Sequence, residues 1–242
     1  YYAGKANLTG DSNVIIGHEA GDGFTDVDLT VIIGKGAVTG TSVTAAADRT
    51  VAIGASALAA LTIGAGNVAV GYYTLVLNED GQYNTAVGYK TLAANVDGDK
   101  NTAVGYQALE SMEPAEDAGE NTAVGYNAGD NITTGVNNTC IGSRARVGAA
   151  DASNQIAIGN SVDGVDIDNS ITIGGAAVTA TYLASGAVDD NILHIGKASP
   201  SNGANADMSV GLTINQGATD NEIMAFKSSD VTTGFALPET DT

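Results

Sequence analysis

Tryptophan is absent from this sequence, and phenylalanine and proline occur three times each. Ordinary globular cores are filled by large aliphatic and aromatic side chains, so a chain this poor in aromatics must pack in thin layers. One cysteine, Cys140, excludes an intrachain disulfide framework. It falls in a column otherwise held by alanine and reads as a packed core thiol. Nine Lys and Arg stand against 28 Asp and Glu, a net charge of −19. Phosphate binding is driven by Lys and Arg, so nucleic acid is not an expected partner, and an anionic membrane surface is disfavoured for the same reason. No apolar run reaches the ~18 residues of a membrane-spanning helix, and no segment reads as a signal peptide. Membrane insertion is therefore not expected. The two histidines, His18 and His194, lie far apart without the spacing of a zinc site. They read as packed or solvated side chains.

What the chain has in abundance is glycine, 32 residues in 242, and it recurs at fixed intervals. The word Asn-Thr-Ala-Val-Gly-Tyr stands at 84–89, 101–106 and 121–126. Anchored on its glycine, the repeat extends through Gly17, Gly34, Gly54, Gly71, Gly88, Gly105, Gly125, Gly142, Gly159, Gly174 and Gly196, most steps being 17 residues with small insertions. A two-helix repeat needs a unit of ~34 residues. Seventeen residues suit two strands of about five residues and two turns. The expectation is an all-β parallel solenoid, or β-roll, of about eleven rungs. At ~4.8 Å per rung the array is on the order of 50 Å long.

Each position of the unit is a column. A branched residue precedes every glycine, from Ile16 to Ile195, and Val, Thr, Ile or Leu stands three before it, as in Val14, Val51, Thr85 and Thr102. Residues two apart share a strand face, so these two columns line one wall. Between them runs a column of mostly small residues, including Ala52, Ala69, Ala86, Ala103, Ala123, Cys140 and Ala157. It does not alternate to polar residues as a solvent-facing column would, so both strand faces are expected to be covered, one by the chain itself and one by another chain. The repeated glycine implies a turn or a close backbone approach. A second glycine recurs at Gly10, Gly64, Gly81, Gly98 and Gly135, followed three residues on by Asn13, Asn67, Asn84, Asn101 and Asn138. Asparagine tolerates left-handed turns and can hydrogen-bond in ladders.

The period covers residues 1–198. The opening Tyr1-Tyr2-Ala3-Gly4 matches the tail of a unit, Tyr126-Asn127-Ala128-Gly129, so the expectation is a piece of a longer polypeptide that enters a repeat partway. Residues 199–242 lose the period and read as a small capping or transition element with strands near 209–214 and 221–227.

Among candidate sites, Tyr72, Tyr89, Tyr106 and Tyr126 each follow the repeat glycine directly and form an aromatic column. Two readings stay open: mutual packing of rings one rung apart, or a strip on which sugar faces stack. Asp22, Asp26 and Asp28, and again Asp163, Asp166 and Asp168, sit in acidic turns. They lack the terminal Glu and spacing of a calcium loop and read as solvated carboxylates, with calcium as the alternative and no other cofactor expected. The longest insertion, 110–120, holds Glu113, Pro114, Glu116 and Asp117 and is an outward loop of the kind that carries recognition. No pair of carboxylates stands out as a catalytic pair.

Asn-Thr-Ala-Val-Gly-Tyr-Gln-Ala-Leu at 101–109, reiterated with Asn and Gly turns, resembles the repeats of bacteriophage tail fibres. It is also similar to the head repeats of trimeric autotransporter adhesins, in which Val-Ala-Ile-Gly, here 51–54, recurs. The segment Gly-Leu-Thr-Ile-Asn-Gln-Gly at 211–217 is similar to the ends of structural proteins of marine phages. The resemblance implies a homotrimer of parallel solenoids acting as a structural, host-attaching fibre in a virion tail, next to other tail proteins and facing a cell-surface glycan or protein receptor. A bacterial surface adhesin head is the alternative; a tailspike-type polysaccharide-degrading enzyme is a third reading. The threonines at Thr85, Thr102, Thr122 and Thr139 do not make an ice-binding rod, whose paired threonine columns are lacking because Val or Ile occupies the next position on that face.

Overall fold

The computed structural model describes residues 2–5, 7, 9–40, 43–113, 119–164 and 166–174. The chain divides into two units, Tyr1–Thr181 and Tyr182–Thr242, and everything described belongs to the first. The rung at Gly196, His194, the tip of the 110–120 loop and the whole of 199–242 lie outside the described residues.

The described unit is a parallel β-solenoid. Its strands are β1 (Val14–Ile16), β2 (Val31–Ile33), β3 (Val51–Ile53), β4 (Val68–Val70), β5 (Thr85–Val87), β6 (Thr102–Val104), β7 (Thr122–Val124), β8 (Thr139–Ile141), β9 (Ile156–Ile158) and β10 (Ile171–Ile173). They form one sheet in sequence order. Pairing is column on column, with Thr85 opposite Thr102, Ala86 opposite Ala103 and Val87 opposite Val104. The longer steps keep this register, since Thr102 pairs with Thr122 and Val31 with Val51. Their extra residues are taken up in turns, one of which forms a 3₁₀ turn at Ala45–Ala47, with the Thr44 hydroxyl accepting from the Ala46 amide.

Each rung holds one three-residue strand, where two strands of about five residues were expected. The reason is backbone conformation. After Gly88, Lys90 and Leu92 both adopt φ 51°, and Lys100 before the next strand adopts φ 55°. An extended ladder cannot run through left-handed residues, so the rest of the rung is a chain of turns. Stacking continues through the turns all the same. The Lys90 amide donates to the Tyr72 carbonyl of the preceding rung, and the Leu92 amide to the Ala108 carbonyl of the following one, each at 3.0 Å.

The small-residue column is fully buried inside the chain, from Ile32 and Ala52 through Ala103 and Ala123 to Cys140 and Ala157. It belongs to one core cluster with Leu58, Leu75, Leu92 and Leu109. No second chain is needed to cover this column, because the chain itself closes that strand face. The flanking columns point outward, and Val87, Val104, Val124 and Ile141 are 36–40% exposed. Leu92 shows which force prevails in the turns: a left-handed residue costs ~1–2 kcal/mol, and burying leucine returns ~1.5–3 kcal/mol.

Two columns fix the stacking. At the repeat glycines φ is strongly positive, 141° at Gly88 and 136° at Gly105. A Cβ on Gly105 would also stand 2.3 Å from the Gly125 carbonyl oxygen of the next rung. Asn67, Asn84, Asn101, Asn121 and Asn138 are buried in a continuous ladder. The Oδ1 of each of the first four accepts the backbone amide of the next asparagine at 2.9 Å, and Asn138 accepts that of Gln155 at the same distance. Asn84 Nδ2 donates to the Gly98 carbonyl at 2.8 Å, and Asn121 Nδ2 to that of Gly135 at 2.9 Å. In the rung before the ladder, the same column holds Thr50, whose buried hydroxyl has no partner among the described residues.

Opposite outcomes are therefore expected for two substitutions measured by chemical denaturation. Gly105→Ala should destabilise by about 3 kcal/mol or more, through strain and the carbonyl clash. Thr50→Asn should stabilise by about 1 kcal/mol, because its carboxamide would accept the Asn67 amide and extend the ladder.

Candidate functional site

The tyrosine column begins at the backbone. Each ring is attached one residue past a repeat glycine, and the in-register pairing of the preceding strands sets the rings at rung spacing. Tyr72 and Tyr89 stack with centroids 5.6 Å apart, Tyr89 and Tyr106 at 5.1 Å, and Tyr106 and Tyr126 at 5.2 Å, with interplanar angles of 8–13°. Between the two readings open at the outset, mutual packing describes the ring faces. The rings remain 39–48% exposed, through their edges and hydroxyls. Along its length the ladder thus offers a row of phenol edges, since a sugar cannot enter between rings this close.

The two ends of the ladder differ. Beyond Tyr126 the column holds Ser143, and the guanidinium of Arg144 lies 5.7 Å from the Tyr126 ring centroid, within cation–π range. Before Tyr72 the column holds Ala55, so no ring continues the stack. There Tyr73 leans on Tyr72, with centroids 4.4 Å apart and a tilt of 42°. A hydrogen bond with Tyr73 is the main cause that raises the Tyr72 phenol above its ordinary value. Tyr73 is the one tyrosine at the second position after a described repeat glycine; Lys90, Gln107 and Asn127 occupy equivalent places.

Two open troughs border Tyr73. One, about 400 Å³, runs over Val76, Leu77, Ala93 and Ala94 with Lys90 and Glu110 at its rim. The Lys90 ammonium is 3.7 Å from the Glu110 carboxylate and 5.9 Å from the Tyr89 ring centroid. Gln107 also bonds Glu110. The other trough, about 390 Å³, is lined by Glu19, Lys35, Ala55, Ser56 and both Tyr72 and Tyr73.

In the acidic turns, Asp26, Asp28 and Asp168 serve the backbone. Asp28 accepts the Asp11 amide at 2.6 Å, Asp26 that of Ala45 at 2.9 Å, and Asp168 that of Ser153 at 2.7 Å. Asp99, from another turn, accepts the Gln82 amide at 2.6 Å. These carboxylates fasten one rung's turn to the next. Among the described residues no three His, Cys, Asp or Glu side chains converge as a metal site. His18 lies 3.4 Å from Glu19, with both side chains half-exposed. Cys140 is buried, and burial pushes its thiol up to about 12, with a further contribution from Asp130. That environment makes it a poor nucleophile.

Near Tyr126, Asp130 takes a bidentate pair of hydrogen bonds from Arg146, at 2.6 and 2.7 Å, and a third from Asn127 at 3.0 Å. Burial alone would raise the Asp130 carboxyl, but the bonds from Arg146 and Asn127 and the guanidinium charge outweigh it and hold it below 3.8. The pair, Tyr73 and the Arg144 cap were not singled out by the repeat pattern. Their signals were local departures from it, the Tyr-Tyr doublet at 72–73 and Arg-Ala-Arg at 144–146.

Because the folded carboxyl titrates below its unfolded value, its stabilisation is present above 3.8 and is lost as pH falls through the folded value. Arg146 is 39% exposed, so solvent screens the pair. Asp130→Asn should therefore cost only about 1 kcal/mol near neutral pH. Melting curves should show the gap from wild type narrowing as pH falls below the ordinary carboxylate range and closing once Asp130 is protonated in the folded chain.

The chain matches no family model, no curated protein and no solved structure, so its functional reading rests on its own residues.

Proposed function

We propose that this chain is the repetitive shaft or head of a homotrimeric fibre in a phage virion tail, where it has a structural and host-attachment role without catalysis. The repeats supply length and stiffness. The turns, with the hydroxyl edges of Tyr72, Tyr89, Tyr106 and Tyr126, face a cell-surface receptor, a glycan before a protein. Other tail proteins are its neighbours in the virion.

One observation carries the trimer and with it the fibre. On a chain of net charge −19 the outward strand face has no charge: Thr85, Thr102, Thr122 and Thr139 run beside half-exposed Val87, Val104, Val124 and Ile141. A regular apolar stripe of this kind favours burial against a second copy. Parallel copies of one chain present it in the same register to each other, and cyclic assembly follows when the contact closes.

Adjacent positions separate folding from assembly. Ala103→Asp places an unpaired charge in the interior of the single chain and should unfold its rungs. Val104→Asp alters only the outward face, and should leave each chain folded while sedimentation shows the trimer reduced to monomers. A wild-type chain that sediments as a folded monomer at micromolar concentration contradicts the assembly. For attachment, the trimer should be retained on host envelope polysaccharide without releasing reducing ends. Chain cleavage abolished by one carboxylate substitution would replace the fibre with a tailspike-type enzyme.

A further inference from the structure

We propose that the trough bordered by Tyr72 and Tyr73 is a binding subsite for one neutral pyranose ring of a receptor glycan. It rests on the attachment reading above and places recognition at the end of the ladder, whereas that reading spreads it along the ladder's length. Inside the stack each ring face is taken by a neighbour at 5.1–5.6 Å. At Tyr72 the succession stops, because the preceding rung offers Ala55 where another ring would stand. Tyr73, inclined at 42° to Tyr72, makes a second aromatic wall, and the trough of about 390 Å³ opens against both rings.

The trough sets two aromatic rings beside a lining that is more polar than apolar, the mixture that a sugar, with its apolar ring face and hydroxyl rim, requires. Its apolar part is the ring pair with Ala55 and Ala59, and its polar side chains are Lys35, Ser56, Glu19 and Thr39. Among the described residues the Lys35 ammonium has no carboxylate within ion-pair distance, and the Ser56 side chain makes no hydrogen bond. An ammonium and a hydroxyl donate, and a carboxylate and a hydroxyl accept, which matches the alternating donors and acceptors of vicinal sugar hydroxyls. The charge balance selects the class of sugar. Lys35 and Glu19 offset one another, and a chain of net charge −19 repels a polyanion, so a neutral sugar is favoured over a uronate.

The test uses the full chain with ¹³C-labelled tyrosine rings, titrated with mannohexaose, maltohexaose and N-acetylchitohexaose as neutral probes and with oligogalacturonate as the anionic one. The subsite requires that at least one neutral probe shift the Tyr72 and Tyr73 resonances. Tyr73→Ala should then weaken that probe about tenfold or more, a loss typical of a central aromatic contact. Tyr83→Asn, an exposed turn position outside the site, should bind as wild type and report that labelled variants remain folded. Shifts confined to Tyr106 and Tyr126, or full affinity in Tyr73→Ala, overturn the subsite and leave glycan attachment standing. A preference for oligogalacturonate overturns the neutral class. If no neutral probe binds although the trimer is retained on envelope polysaccharide, the subsite is wrong and the attachment reading survives; if the trimer is not retained either, both fail.

Discussion

Every rung of this protein must fit a near copy of itself one β spacing away, and most of its unusual features follow from that constraint. A residue in a column meets the same column above and below, so a side chain survives only if it is compatible with its own repetition. Alanine on alanine, valine on valine and tyrosine on tyrosine satisfy this by shape. Asparagine satisfies it by chemistry, since its carbonyl oxygen accepts the next rung's amide while its amino group reaches a turn carbonyl or, at Asn101, the Oδ1 of Asn84. Each buried polar atom of the ladder is thereby paired within an interior that excludes water, where an unpaired one would cost ~1–3 kcal/mol. In a neighbouring column Asn95 is followed one rung on by Met112, and among the described residues its Oδ1 has no partner.

The same constraint accounts for conformations that would be unfavourable in isolation. Leu58, Leu75, Leu92 and Leu109 all adopt φ of 49–52°, in a region that non-glycine residues usually avoid. Each is fully buried. Packing and inter-rung hydrogen bonds hold the turns against this local preference, so a single excised unit has no reason to keep its shape. Stability is a nearest-neighbour property, as in other stacked-repeat proteins. The glycine column marks the limit of what packing can offset, because there a Cβ would collide with backbone, which cannot swing aside as a side chain can.

Much of this was legible because repetition averages out local noise. Eleven aligned glycines revealed the period, the small column and the sites of insertion, and five asparagines three residues past a second glycine revealed the ladder. Asn121 was missed because its turn lacks a glycine at the expected place, although it opens a copy of the most obvious word in the chain. The division of rungs into strand and turn was not legible, since leucine carries no sequence mark of a left-handed conformation. Nor was it clear which strand face lay inside: alanine is small enough for an interior or an interface, and only the closure of the solenoid decided it. At the site, the tyrosine column was visible, but whether its faces were free depended on ring spacing and tilt. Tyr73 escaped because attention to columns discounts a residue that breaks one.

The most direct test of register held by the buried ladder is native-state amide hydrogen exchange at Asn84, Asn101, Asn121 and Asn138. Their amides donate to a side chain of the preceding rung, outside the strand ladder, so their protection reports the asparagine contacts themselves. If the ladder organises the stack, these four amides exchange only through cooperative opening, with protection equal to that of Val87 and Val104 in the strands. Exchange at these asparagines orders of magnitude faster than in the strands would mean that the sheet alone holds the rungs together, and would contradict the account.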